Sequence, residues 1–127
     1  MDTDKTNLLF ESVTEQILRC AFEVCNTLGP GFLEKVYERA LIRELAAAGL
    51  VCVSQAPLPV FYKGALVGDY FADILVEDLV LVELKCVDRL MGEHSAQCLN
   101  YLKASGKSIC LLLNFQKPRL EFRRLVG

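Results

Sequence analysis

Apolar residues recur at helical spacing through the first third of the chain and then give way to β-type runs. From about Thr6 to Leu28, positions Leu9, Val13, Ile17, Cys20, Ala21, Val24 and Leu28 form a stripe, with Glu11, Glu15, Arg19 and Glu23 opposite. That spacing predicts an amphipathic helix, and Gly29-Pro30-Gly31 ends it. A second helix is expected from Phe32 to Ala48, with Leu33, Val36, Tyr37, Ala40, Leu41 and Leu45 as its apolar face and Gly49 as its cap. Strands follow at Leu50–Val53, Val60–Tyr62, Leu66–Val76 and Leu79–Cys86, with Lys63-Gly64 as a hairpin turn. Pro57 and Pro59 confine the start of the second of these to an edge or irregular position. Glu93–Ser105 reads as a helix stopped by Gly106, Ile109–Phe115 as a fully buried strand, and Leu120–Val126 as a last strand after the Lys117-Pro118 turn. The order α-α-β-β-β-β-α-β-β predicts an α/β sheet flanked by helices.

With 127 residues, 53% of them hydrophobic, the chain suits a single domain spanning residues 1–127 with a real core. No internal repeat, linker or low-complexity stretch interrupts it. A net charge of −2 and a pI near 5.4 exclude a broad basic face, so any polyanion site has to be a local patch. Lys35, Arg39, Arg43, Lys103, Lys107, Arg123 and Arg124 are the candidates for one. The opening Met1-Asp2-Thr3-Asp4-Lys5 does not read as a signal peptide, and no apolar run is long enough to cross a bilayer. A cytoplasmic protein without a membrane partner is therefore expected. The six cysteines form no Cys-x-x-Cys pair and read as reduced core residues. One histidine and no tryptophan leave little support for a histidine-rich metal site or a Ser-His-Asp triad. A mean hydropathy of +0.32 fits apolar surface hidden at a subunit contact, as in a homo-oligomer.

The candidate chemistry lies in Asp73–Lys85, where two Val/Leu/Ile runs flank the acidic break Glu77-Asp78. A buried carboxylate costs several kcal/mol unless it is paired or bound to metal. Glu83 and Lys85, two apart on a strand, project from one face. Two carboxylates and an ammonium at a sheet suit a divalent cation that holds a phosphate and activates water; the alternative is an edge hairpin with solvated charges. Asp73 shares a face with Glu83 only if the intervening loop is odd, as with Glu77-Asp78-Leu79, or if a bulge intervenes. A regular two-residue turn at Glu77-Asp78 would set Asp73 opposite Val82 and point Glu83 away.

Two helical sets accompany this stretch. Glu34 and Tyr37 share a face of the second helix that also carries apolar residues, although a first-turn acid is also favoured by the helix dipole. His94, Gln97 and Tyr101 share a face of the third helix, where His94 is expected to cap or to lie at the surface.

Gly31-x-x-Glu34-x-x-Tyr37 resembles the signature of the GxxExxY proteins. Asp73 followed by Glu83-Leu84-Lys85 resembles the Asp…Glu-x-Lys core of the PD-(D/E)XK nuclease superfamily, and Gln97-x-x-x-Tyr101 is similar to the helix motif of its RecB-like exonuclease branch. The likeness runs from about residue 8 to residue 126. It implies a restriction-endonuclease-like core: a mixed sheet meander flanked by helices. It further implies that Glu34, Asp73 and Glu83 surround Mg²⁺ or Mn²⁺, that Lys85 orients or activates the attacking water, and that Gln97, Tyr101 and Tyr37 line the site. The implied activity is hydrolysis of DNA or RNA. The reading from another class is a non-catalytic oligomerising or nucleic-acid-binding module that keeps the fold.

Overall fold

The computed structural model describes residues 3–127, so Met1 and Asp2 of the opening lie outside the described residues. Helices α1 (Thr3–Leu28) and α2 (Glu34–Ala47) lead into strands β1 (Cys52–Tyr62), β2 (Ala65–Val76) and β3 (Val80–Lys85). Helix α3 (Gly92–Ser105) then crosses over to β4 (Ile109–Asn114), and β5 (Glu121–Val126) closes the chain. The five strands lie in the order β1-β2-β3-β4-β5. All neighbours are antiparallel except β3 and β4, which pair in parallel across the α3 connection. The mixed sheet with flanking helices is the expected fold, with one strand fewer. The segments expected at Leu50–Val53 and Val60–Tyr62 are parts of one strand, β1. Pro57 and Pro59 do not break it because β1 is a sheet edge, where a missing N–H costs no ladder bond.

Each sheet face has its own core. On one side Ile17, Ala21, Leu41 and Leu45 pack against Ile74, Val82, Leu84, Leu111 and Leu113. On the other, Cys98 and Leu102 of α3 pack with Leu81, Cys110 and Leu112. β3 and β4 are buried on both faces, which explains their unbroken apolar sequence. Leu9, Leu33 and Val36 of the expected helical stripes are exposed, because the apolar stripes extend beyond the parts of α1 and α2 that meet the sheet. All six cysteines are unpaired. Among the described residues, no helix is long and apolar enough to cross a membrane.

The β2–β3 connection has the odd loop that a shared face requires. Ile74 pairs with Val82, Leu75 with Leu81 and Val76 with Val80, leaving Glu77-Asp78-Leu79 as the loop and bringing Asp73 level with Glu83. Glu77 and Asp78 both adopt left-handed φ, 54° and 56°. Leu79 N–H closes the turn on the Val76 carbonyl at 2.9 Å, so Leu79 is the extra residue that sets the parity. The loop is tied to the start of β1: the Glu77 carboxylate accepts Val51 N–H at 2.6 Å, and Glu77 N–H donates to the Val51 carbonyl at 2.7 Å.

A second irregularity lies across from Asp73. The β1–β2 register is unchanged from Ser54–Ile74 to Ala56–Ala72, yet Gln55 between them has φ +51°. Cys52, Ile74 and Val76 on one side of this point belong to the α1/α2 core. Ala56, Leu58 and Ala72 on the other side belong to the α3 core. The hairpin therefore turns over at Gln55 and Asp73, and its outer half lies against α3.

The approach to α2 is set by Gly31 and Tyr37. Gly31 has φ +115°, which a side chain would make strained. Tyr37 is fully buried, stacks on Phe115 at 5.0 Å, donates its hydroxyl to the Gly29 carbonyl at 2.5 Å and accepts Phe32 N–H at 3.2 Å. Tyr37→Phe strands both backbone groups and is expected to cost about 1–3 kcal/mol of stability, measured by urea unfolding.

Candidate active site

Where β2 and β3 part, side chains replace the ladder. The Glu83 carboxylate accepts Asp73 N–H through Oε1 at 2.8 Å, and Asp73 Oδ2 accepts Leu84 N–H at 2.9 Å. Each carboxylate thus spends one oxygen on the opposite strand's backbone, which fixes its direction. Glu83 is only 3% exposed. Burial first, and the Asp73 charge second, push its carboxyl up to about 8. Burial likewise raises Asp73, held back mainly by the Leu84 N–H. Lys85, half-buried at the end of β3, offsets part of this negative field at Asp73 and Glu83.

Helices approach from both sides. Glu34 is the first residue of α2; it is exposed, and its carboxyl is raised by partial desolvation and then by Asp73, with Lys85 opposing. From α3, Gln97 donates to the Tyr101 hydroxyl at 3.1 Å. Burial, then the charges of Glu83 and Asp73, raise the Tyr101 phenol, and Tyr101 packs in one core with Leu81 and Ala72, near neighbours of Glu83 and Asp73 in the chain. His94 takes no part: its Nδ1 accepts Met91 N–H at 2.8 Å and caps α3. Tyr37 does not line the site either, because it is buried under the Gly29–Phe32 turn; its contribution is to hold the entry to Glu34.

Two residues not anticipated from the sequence join the group. Glu38, one turn beyond Glu34, is 3% exposed and bonded to Lys35 at 3.1 Å. Gln55 donates its amide to Glu38 at 3.2 Å and to Asp73 Oδ1 at 3.4 Å, linking α2 to the strand. Glu38 was readable in principle, since it stands three before Leu41 and seven before Leu45 on the buried stripe. Gln55 had no such signal, because its position depends on a left-handed φ that glutamine rarely adopts. Behind the site, fully buried Asn114 bonds both backbone groups of Val87 and the Glu121 carboxylate. Glu121 in turn accepts Leu90 N–H, fixing the connection that leads into α3. A lone amide in the apolar run Ile109–Phe115 was its visible trace.

The donor chemistry fits a hard divalent cation. Asp73 Oδ1 and Glu83 Oε2 are not committed to backbone, and two adjacent anions that resist joint ionisation are what a cation relieves. Among the described residues, no three His, Cys, Asp or Glu side chains already form a ready-made cage. Mg²⁺ does not require one, since it commonly takes one or two carboxylates and fills its other positions with water and phosphate oxygens.

The model of the PD-(D/E)XK nuclease superfamily matches residues 11–125. The chain belongs to that superfamily. Solved structures agree at the level of fold. This PD-(D/E)XK chain is similar to SSO0001 with a TM-score of 0.58 and 14% identity over 73% of its length, spanning about half (49%) of that protein. An alkaline exonuclease, LHK-Exo from Laribacter hongkongensis, matches with a TM-score of 0.54 and 16% identity, over 85% of this chain and 67% of that one. Its complex with dAMP matches at 0.50 and 13%, over 89% and 82%. No curated protein matches the sequence closely enough to serve as a relative.

The raised carboxyl of Glu83 carries a pH signature in the metal-free protein. A group whose folded pKa exceeds its unfolded value stabilises fully only below the unfolded value, here near 4.5, and that contribution is lost as pH climbs through about 8. Melting temperature should therefore fall across that interval. Glu83→Gln should flatten the slope and be more stable than wild type at its alkaline end, by on the order of 2 kcal/mol. Thermal melts in chelator across the pH range check this.

Proposed function

We propose that this chain is a divalent-metal-dependent nuclease of the GxxExxY kind, hydrolysing phosphodiester bonds in DNA or RNA. The observation that carries the reading is the meeting of Asp73 and Glu83 across β2 and β3, each with one oxygen not committed to backbone, beside Lys85. Superfamily membership and the exonuclease-like fold support it. Asp73 and Glu83 would hold Mg²⁺ or Mn²⁺, with Glu34 as a direct or water-mediated ligand. The cation supplies charge neutralisation on the phosphoryl oxygens and lowers the pKa of attached water. Lys85 orients that water and offsets charge that grows on the phosphate. Gln97 and Tyr101 position the substrate from α3, and Gln55 holds Asp73 in line with Glu38.

A cytoplasmic setting belongs to the same proposal and is supported by the unpaired cysteines. Homo-oligomerisation is supported by the exposed Phe32, Leu33 and Val36 beside Glu34. The non-catalytic module makes a different prediction for the same assay. Wild type is expected to cleave plasmid or oligonucleotide only with Mg²⁺ or Mn²⁺ present. Lys85→Ala should slow cleavage by about 10²–10³-fold while leaving metal affinity nearly unchanged. Wild type that folds and binds metal but cuts neither DNA nor RNA would leave the module as the better account.

A further inference from the structure

A trough lies between α3 and the outer half of the β1–β2 hairpin. Its inner part, about 360 Å³, is lined by Gln97, Tyr101, Asn100 and Tyr70. Its outer part, about 540 Å³, shares Asn100 and Tyr70 and adds Phe61 and Lys103. The two parts lie side by side and meet at Tyr70 and Asn100. The trough's inner end is Tyr101, which packs in one core with Ala72 and with Leu81, two residues before Glu83 on the same face of β3.

Its walls carry aromatic, amide and small apolar groups, and its two charges lie apart, Glu93 in the inner part and Lys103 in the outer. Tyr70 packs beside Tyr101 at 5.4 Å between ring centroids and is still 46% exposed, and Phe61 is 63% exposed. Asn100 and Lys103 are exposed on α3, one turn apart. Duplex binding draws its affinity from many phosphate contacts, which a chain of net charge −2 with one lysine here does not offer. Single strands bind differently, by stacking unpaired bases on aromatic faces beside a few cations.

We propose that this trough binds an unpaired nucleic-acid strand, its bases stacking on Phe61 and Tyr70 and its phosphate meeting Lys103. The inference deepens the nuclease reading, on which it rests, by making single strand or frayed ends the substrate class in preference to intact duplex. The hairpin's turnover at Gln55 and Asp73 is what swings this wall over α3, so one irregularity aims a carboxylate and builds the trough.

Binding in metal-free buffer separates the trough from the chemistry. By fluorescence anisotropy, a labelled single strand of about 16 nucleotides should bind wild type at least about tenfold more tightly than a blunt duplex of the same length. Phe61→Ala, at an exposed position, should weaken single-strand binding about tenfold, whereas Phe61→Trp should retain it. The chain has no tryptophan, so the Phe61→Trp indole is a lone reporter whose emission should quench as a base stacks on it. Lys103→Ala should lower the salt dependence by about one counterion. Duplex binding as tight as single strand, no binding of either, or full affinity in Phe61→Ala would each overturn the proposal. Metal-dependent cleavage that persists unchanged in Phe61→Ala would discard the trough and leave the nuclease reading standing.

Discussion

A hairpin brings two side chains to one face only when the residues between them have the right parity, and the rest of this site depends on that count. Leu79 is the residue that settles it. With Glu77-Asp78-Leu79 as the loop, Asp73 and Glu83 stand level and project together. With one residue fewer, Glu83 would enter the opposite core, where Val82 and Leu84 now pack. On β3 the constraint is all-or-none, because Glu83 alternates with Val82 and Leu84 across the two faces of a regular strand.

Holding two carboxylates there is costly, and the surrounding structure shows how the cost is met. Each acid takes a backbone N–H from the facing strand where ladder bonds would otherwise run. Lys85 supplies an opposite charge, and Gln55 ties Asp73 to buried Glu38 on α2. What stays uncompensated is visible in the elevated Glu83 carboxyl. Left-handed backbone at Gln55 adds strain beside it, at a position where the strands exchange one core for the other. A fold optimised only for stability would have no use for either feature.

Much of this was legible in sequence because it follows from period. Helical stripes gave α1 and α2, the unbroken apolar run gave β4, and alternation across Asp73–Lys85 reduced the site to a question of loop parity. The motif Gly31-x-x-Glu34-x-x-Tyr37 divides its labour: Gly31 supplies the φ, Tyr37 pins the turn, and Glu34 opens α2, where the charges of Asp73 and Lys85 act on its carboxyl. Tyr37 was misplaced because a tyrosine near a site and one beneath it have the same spacing. The continuity of β1 through two prolines was hidden because edge position is a property of the whole sheet. Gln55 was invisible for a deeper reason: its role rests on a backbone conformation that neither propensity nor pattern favours.

The central claim is that loop parity creates one cation site from Asp73 and Glu83. Mn²⁺ titration by calorimetry on wild type, Asp73→Asn and Glu83→Gln, with Arg19→Gln on the exposed side of α1 as a control outside the donor set, tests it most directly. The account predicts that either carboxylate replacement lowers affinity by at least about tenfold, whereas the control binds as wild type. Equal Mn²⁺ affinity in all four proteins would contradict it.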